Sequence, residues 1–266
     1  MKLPALEQCR HDPFLYMLFQ DDRKQFFSKG WGTNQKFNSR RRLMTCHRLL
    51  KKWMTPAPAR FADFACGQAN MGLLMARDGY RVDLIDNEPR FFDYIRLKLT
   101  DEKVNFIHDN AATRIGDERY HGIFFGEALE HMADPAETLR TLRANLETGG
   151  ILCLTTPNGD YEGCREPSWR EVAHQTERNL KLANTIGNHV CEFTMQELAD
   201  LVREAGFTLL EHLPFSSHQI GNSWVLRKLL PDPLLWKLDD RFSRAAAKRP
   251  GKTWGRAQIL VARRAH

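Results

Sequence analysis

Between residues 56 and 215, short apolar runs alternate with longer stretches whose apolar positions recur every three or four residues. FADFA (61–65) predicts a short buried strand, followed by the small-residue turn CGQAN and the helical stretch MGLLMARDG, with Gly79 as its C-terminal cap. YRVDLID (80–86) alternates apolar and polar positions until it ends on Asp86, which predicts a second strand. Two strands joined through one helix form a βαβ unit, so they should lie parallel with a right-handed crossover. The alternation continues with the amphipathic helix EPRFFDYIRLKL (88–99) and a third strand, VNFIHDN (104–110). YHGIFF (120–125) predicts a fourth.

Asp134, Pro135 and Glu137 then stand as N-cap, N1 and N3 of a helix, a capping box with Leu139, Leu142 and Leu146 as its apolar stripe. That helix is predicted to stop at Gly149–Gly150, ahead of the nearly continuous apolar strand ILCLTTP (151–157). Thr194 and Glu197 mark a further capped helix that ends at Gly206. FTLLEHL (207–213) and WGRAQILVARR (254–264) read as the last two strands. Two regions break the pattern. Residues 1–55 predict a basic helical segment, and 216–253 a second one inserted into an α/β domain spanning 56–266.

The first turn carries the earliest chemical signal. Gly67, with Ala65 and Ala69 around it, lets backbone N–H groups and the next helix start approach a ligand closely. Asp86, with Asn87 beside it, closes the second strand at the distance along the chain where a carboxylate accepts both hydroxyls of a ribose. These facts point to a nucleotide-containing cofactor and do not by themselves separate NAD from S-adenosylmethionine. The full turn, D-x-A-C-G-x-A from Asp63 to Ala69, resembles the D-x-G-C-G-x-G turn of class I S-adenosylmethionine-dependent methyltransferases. Ala65 and Ala69 replace two of that family's glycines. The replacement is harmless at negative φ and predicts weaker cofactor binding otherwise.

The resemblance extends over roughly 55–215 and 254–264, and implies a Rossmann-like fold. That fold has a seven-stranded, mostly parallel sheet with helices on both faces and an antiparallel final strand. It also implies that Asp63 and the turn hold the amino-acid end of S-adenosylmethionine, and that Asp109 or Asn110 meets the adenine.

FFGEALEHMADP (124–135) places Glu127, Glu130 and His131 just past the fourth strand, where doubly wound folds put their ligands. At i, i+3 and i+4 they would share one side of a helical turn. Three readings stand: these groups shape the pocket, or one is a general base, or they join His189 in binding a divalent ion. E-x-x-E-H followed by Thr156-Pro157-Asn158 and then His189 is similar to two metal-using branches. Those are the ubiquinone-biosynthesis O-methyltransferases and the small-RNA 2′-O-methyltransferases. The similarity implies Mg²⁺ or Mn²⁺ on Glu127, Glu130, His131 and His189, polarising an acceptor hydroxyl. Oxygen acceptors need deprotonation whereas a neutral amine does not, so the cluster favours O-methylation of a small or lipid- or glycan-linked acceptor. His174 and the stretch 157–192 would complete the pocket, although His174 fits a solvated loop better.

Composition changes this picture little and charge changes it more. Six cysteines without C-x-x-C spacing, no long apolar run and no signal-like N-terminus lead to the expectation of a cytoplasmic protein with reduced thiols. Residues 1–55 hold twelve Lys/Arg against four Asp/Glu, and 224–266 eleven against three, so each end carries +8 within a total of +6. The centre is therefore acidic. SWVLRKLLPDPLLWKLDDRFSRAAAKRPGK (223–252) mixes aromatic, apolar and basic positions, which suits a lid on the domain or a helix at a membrane surface.

Near the N-terminus, Arg40, Arg41 and Arg42 follow a W…F pattern similar to the ubiquinone branch, where an arginine meets the cofactor carboxylate. Without an RNA-binding module, nucleic acid is not the expected partner. An RNA 2′-O-methyltransferase or a non-catalytic cofactor-binding scaffold are the alternative functions. The pattern says nothing of oligomeric state.

Overall fold

The structure is a computed structural model that describes residues 2–27, 34–117, 119–185, 187–217, 220, 223–247 and 255–265. Trp31 and Trp254, which belong to two of the patterns above, lie outside them. Seven strands form one sheet: β1 Arg60–Phe64, β2 Arg81–Asp86, β3 Val104–His108, β4 Tyr120–Gly126, β5 Leu146–Pro157, β6 Phe207–Ser217 and β7 Gly255–Arg264. Their order is β3-β2-β1-β4-β5-β7-β6. β7 runs antiparallel to both neighbours, while the pairings among β1 to β5 are parallel. The strand reversal falls between β1 and β4, the switch point where open α/β sheets leave a crevice for ligands.

Alternation along the strands separates two apolar layers. Ala62, Phe64, Ile123, Phe125, Leu152, Leu154 and Leu260 pack with Leu139, Leu142, Leu198 and Val202 of the helices Pro135–Ala144 and Met195–Glu204. Phe61, Val82, Leu84, Ile151, Cys153 and Val261 point the other way. They meet side chains of the helices Asn34–Trp53, Asn70–Arg77 and Arg90–Lys98. A period of two thus feeds both cores, which is why the central strands read as nearly unbroken apolar runs.

Three local expectations are revised. The helix after Asp134 ends at Ala144, and β5 already begins at Leu146, so Leu146 is a strand residue paired with Tyr120. The glycine pair lies inside that strand: Gly149 at φ 79° sits where the β4–β5 register shifts, so it allows a bulge and does not end a helix. Asp134 does cap the helix by accepting from the Glu137 amide at 2.9 Å, with Pro135 at N1. The Glu137 carboxylate turns instead to Arg140, so the reciprocal half of the box is absent. Thr194 and Glu197 form both halves.

The helices Trp224–Leu229 and Asp232–Ala247 follow β6. β6 is parallel to β5, so this segment departs from the sheet edge that also carries the turns after β1 and β4. Leu235 is buried with Ile220. Asp239 and Asp240 both pair with Arg41 of the helix Asn34–Trp53.

Candidate active site

The turn after β1 is held from both sides. The Gly67 amide donates to Asp86 Oδ2 at 2.9 Å, and the Glu88 amide donates to Asp86 Oδ1 at 3.0 Å. Asp86 is buried, which pushes its carboxyl up from the ordinary range. Asp63 is buried as well, and its Oδ2 accepts from the Gly72 amide at 2.8 Å. Burial raises its pKa to about 8. Gly72 has no room for a side chain: a Cβ would sit 2.3 Å from Leu84 Cδ2. Gly67 differs, since the nearest atom to an added Cβ is Phe91 Cε1 at 4.0 Å. The turn is therefore braced behind Gly72 and open in front of Gly67, as a backbone cradle for a ligand must be.

Ala65, Gly67 and Ala69 have φ of 52°, 49° and 53°. Both alanines thus occupy the left-handed region, at a cost of about 1 kcal/mol each. The expectation attached to negative angles does not hold, and the strain must be held by neighbours. A buried network supplies this. The Lys98 ammonium is 0% exposed and donates to the Gln68 carbonyl at 2.9 Å and to Asn70 Oδ1 at 2.7 Å. It also pairs with Asp22 at 2.7 Å. Asp22 accepts further from Asn70 Nδ2 and from the Tyr94 hydroxyl. Gln68 Nε2 reaches the Leu18 carbonyl, so the helix Pro13–Asp22 is tied directly to the turn.

At the end of β3, Asp109 pairs with Arg114 at 2.7 Å, and this hydrogen bond holds its carboxyl below the usual range. Asn110 accepts from the Ala112 amide, and the Asn87 carbonyl faces the His108 ring at 3.1 Å.

After β4 the chain makes a 3₁₀ turn, Leu129–His131. Glu127 precedes it at φ 53°, so the three ionisable groups do not share one helical face. Glu127 points to Arg42, 2.7 Å away, and its second carboxylate oxygen, Oε1, is buried without a hydrogen-bond partner. Glu130, 1% exposed, accepts from the Thr156 hydroxyl at 2.9 Å. Burial, reinforced by the charge of Glu127, raises its pKa to about 8.

His131 Nδ1 donates to the Asn188 carbonyl at 2.7 Å, which leaves its Nε2 as the atom with a free lone pair. Burial lowers its pKa, so the ring stays neutral. His189 Nδ1 lies 3.4 Å from Glu192, a contact that raises its pKa. The two imidazoles meet edge to face with centroids 4.9 Å apart. Glu130, His131 and His189 each offer one ligand atom, all within 4.8 Å of one another.

Of the four residues expected to act together, three therefore converge, and Glu127 stands beside them on an arginine. His174 is exposed and outside the group. Thr156, Asn188 and Glu192, which orient the three, were not anticipated in these roles. Thr156 belongs to the Thr156-Pro157-Asn158 motif, and Asn188 and Glu192 flank His189 in the chain, so position along the sequence was the trace each left. Arg42 is the member of the arginine trio that reaches this site, because Arg41 is taken by Asp239 and Asp240.

A family model described as a methyltransferase domain matches residues 36–212. The chain belongs to the methyltransferase family. The ubiquinone biosynthesis O-methyltransferase of Cereibacter sphaeroides is 27% identical to it over 172 residues, 63% of this chain and 67% of that protein. Among solved structures, an S-adenosylmethionine-dependent methyltransferase from Mesorhizobium loti superposes with a TM-score of 0.57 at 16% identity. It covers 83% of this chain and 96% of its own. The Burkholderia thailandensis 1,6-didemethyltoxoflavin-N1-methyltransferase, with bound S-adenosylhomocysteine, gives 0.52 at 17% identity, covering 84% and 78%. This methyltransferase therefore has the class I fold expected from its turn, and S-adenosylmethionine is its cofactor.

Proposed function

We propose that this methyltransferase transfers the methyl group to an oxygen of its acceptor, held against Glu130, His131 and His189. The observation that carries the reading is the convergence of these groups one strand from the cofactor turn. β1 pairs with β4 at Phe64↔Phe125, so the chain after each strand opens into the same crevice. The similarity to ubiquinone biosynthesis O-methyltransferases supports oxygen as the accepting atom.

S-adenosylmethionine supplies an electrophilic methyl on a positively charged sulfur, so the protein's part is alignment and exclusion of water. In this reading the amides around Gly67 hold the amino-acid end. Asp63 acts through the backbone by bracing Gly72, Asp86 with Asn87 takes the ribose, and Asp109 or Asn110 borders the adenine. In the same reading Arg42, which pairs with Glu127, takes the cofactor carboxylate. His131, neutral and with Nε2 free, takes the acceptor's proton at that atom. One carboxylate and two imidazoles also fit a divalent ion, and imidazole ligands favour Mn²⁺ or Zn²⁺ over Mg²⁺. Such an ion would lower the pKa of a bound hydroxyl.

The acceptor's carrier is suggested by the segment after β6. Trp224 and Leu229 are 67% and 71% exposed, and Val225, Leu234 and Phe242 are also exposed. Lys228 stands over the Trp224 ring. An aromatic, apolar and basic surface at the active-site edge favours a lipid-linked acceptor met at a membrane surface. No helix among the described residues is long and apolar enough to cross a membrane.

The test is calorimetric. Metal-stripped protein is titrated with S-adenosylhomocysteine and then with Mg²⁺, Mn²⁺ and Zn²⁺, and methyl transfer from S-adenosylmethionine is followed separately on hydroxyl and amine acceptors. Micromolar cofactor binding, hydroxyl-selective transfer and loss of transfer in His131→Ala are expected. A metal isotherm that Glu130→Ala and His189→Ala abolish would add the ion to the mechanism. Amine-selective transfer that survives His131→Ala would sink the oxygen reading.

A further inference from the structure

Beside the cluster lies a pocket of about 740 Å³, lined by Glu166, Arg178, Lys181, Asn188 and His189 among others. It shares His189 with the cluster, and Asn188 is the residue that orients His131. Arg178 and Lys181 are three residues apart on the helix Thr176–Ala183 and so present their charges on one face.

Arg178 is fixed in place: Nη1 donates to Asn179 Oδ1 and to the Val190 carbonyl, both at 3.0 Å. The Val190 amide in turn donates to the Glu130 carbonyl at 2.7 Å, so pocket wall and cluster form one hydrogen-bonded unit. The rest of the Arg178 fork and the Lys181 ammonium have no partner among the described residues. Glu166 is the acid among these lining residues, which leaves the wall with an excess of positive charge even with His189 neutral. A fixed guanidinium beside a free ammonium is the arrangement that recognises a carboxylate or a phosphate.

We propose that Arg178 and Lys181 form an anion subsite that binds a carboxylate or phosphate of the methyl acceptor and places its hydroxyl at Glu130, His131 and His189. The inference rests on the reading of that cluster as the acceptor site, and names the acceptor as an anionic hydroxyl compound. Neutral analogues would lack the anchor and lie loosely against the cluster.

The experiment uses three probes of one shape: 4-hydroxyphenylacetate, 4-hydroxyphenyl phosphate and the neutral 4-hydroxyphenylacetamide. Each is titrated calorimetrically into the full chain, with and without S-adenosylhomocysteine, and methylation of the hydroxyl by S-adenosylmethionine is followed in parallel. At least one anion should bind about tenfold more tightly than the amide, and the stronger of the two identifies the group as carboxylate or phosphate. Lys181→Gln, an exposed position, should remove most of that preference and leave S-adenosylhomocysteine affinity unchanged. Arg178→Lys should remove part of it. Equal binding of anions and amide, or full anion preference in Lys181→Gln, overturns the subsite. Anion binding with the expected dependence but no hydroxyl methylation keeps the subsite and sinks the oxygen reading. Methylation indifferent to charge keeps the oxygen reading and overturns the subsite.

Discussion

Glu130 is a carboxyl group that folding has moved out of water. Its pKa rises from the model-compound value of 4.5 to about 8, so between those values the folded protein holds a proton that the unfolded chain has released. Stability from this group is therefore whole below about pH 4.5 and falls as pH climbs through 8, at up to about 1.4 kcal/mol per pH unit. Glu130→Gln keeps the shape and cannot ionise. Thermal unfolding of metal-stripped protein should show the variant gaining on the wild type steadily from pH 5 to pH 8 and no further above it. A difference that stays flat across that range would mean the carboxyl is already ionised in the fold. Asp63, also raised to about 8, contributes the same slope to both proteins and cancels. The cluster's members could be named from the chain. Glu127's separation from them could not, because it follows from a φ of 53° and an arginine on another helix.

At the scale of elements, the turn after β1 depends on a helix that the family pattern does not include. Pro13–Asp22 ends in Asp22, whose carboxylate meets Lys98, Asn70 and Tyr94 in a site closed to solvent. Breaking a buried ion pair from one side leaves the other charge unpaired, at about 3–5 kcal/mol. Lys98→Met should lose stability of that order in urea titration. It should also weaken S-adenosylhomocysteine binding, because the Gln68 carbonyl and Asn70 would lose their donor. Asp22→Asn in the same background should restore most of the stability. If cofactor affinity is unmoved in Lys98→Met, the network is scaffolding alone. Capping and alternation were legible at this scale: both halves of the Thr194–Glu197 box form as the spacing implies. The end of the helix at Ala144 was not, since Leu146 satisfies a helical stripe and a buried strand equally well.

At the scale of the whole molecule, the two basic ends meet over β6. Arg41, 1% exposed, pairs with Asp239 and Asp240 and covers the Phe215 ring, holding the segment after β6 against the N-terminal helix. Arg41→Met should cost about 3–5 kcal/mol. It should also open the helix Asp232–Ala247 to limited proteolysis while the central sheet stays protected, and uniform cleavage across the chain would refute the tie. The exposed face of the same segment predicts sedimentation with anionic vesicles, lost in the double variant Trp224→Ser with Leu229→Ser. Retention in that variant would move the contact elsewhere.

Strand and helix alternation, the small-residue turn after β1 and the members of the Glu130, His131 and His189 cluster were legible in the chain alone. Periodicity, caps and short motifs act between near neighbours, so a linear reading reaches them. Tertiary structure decided which of three arginines meets Glu127, that Glu130 is dry enough to keep its proton, and that Asp22 and Lys98 brace the turn. Those outcomes depend on burial and on charges from distant parts of the chain, and neither exists until the sheet has brought the elements together.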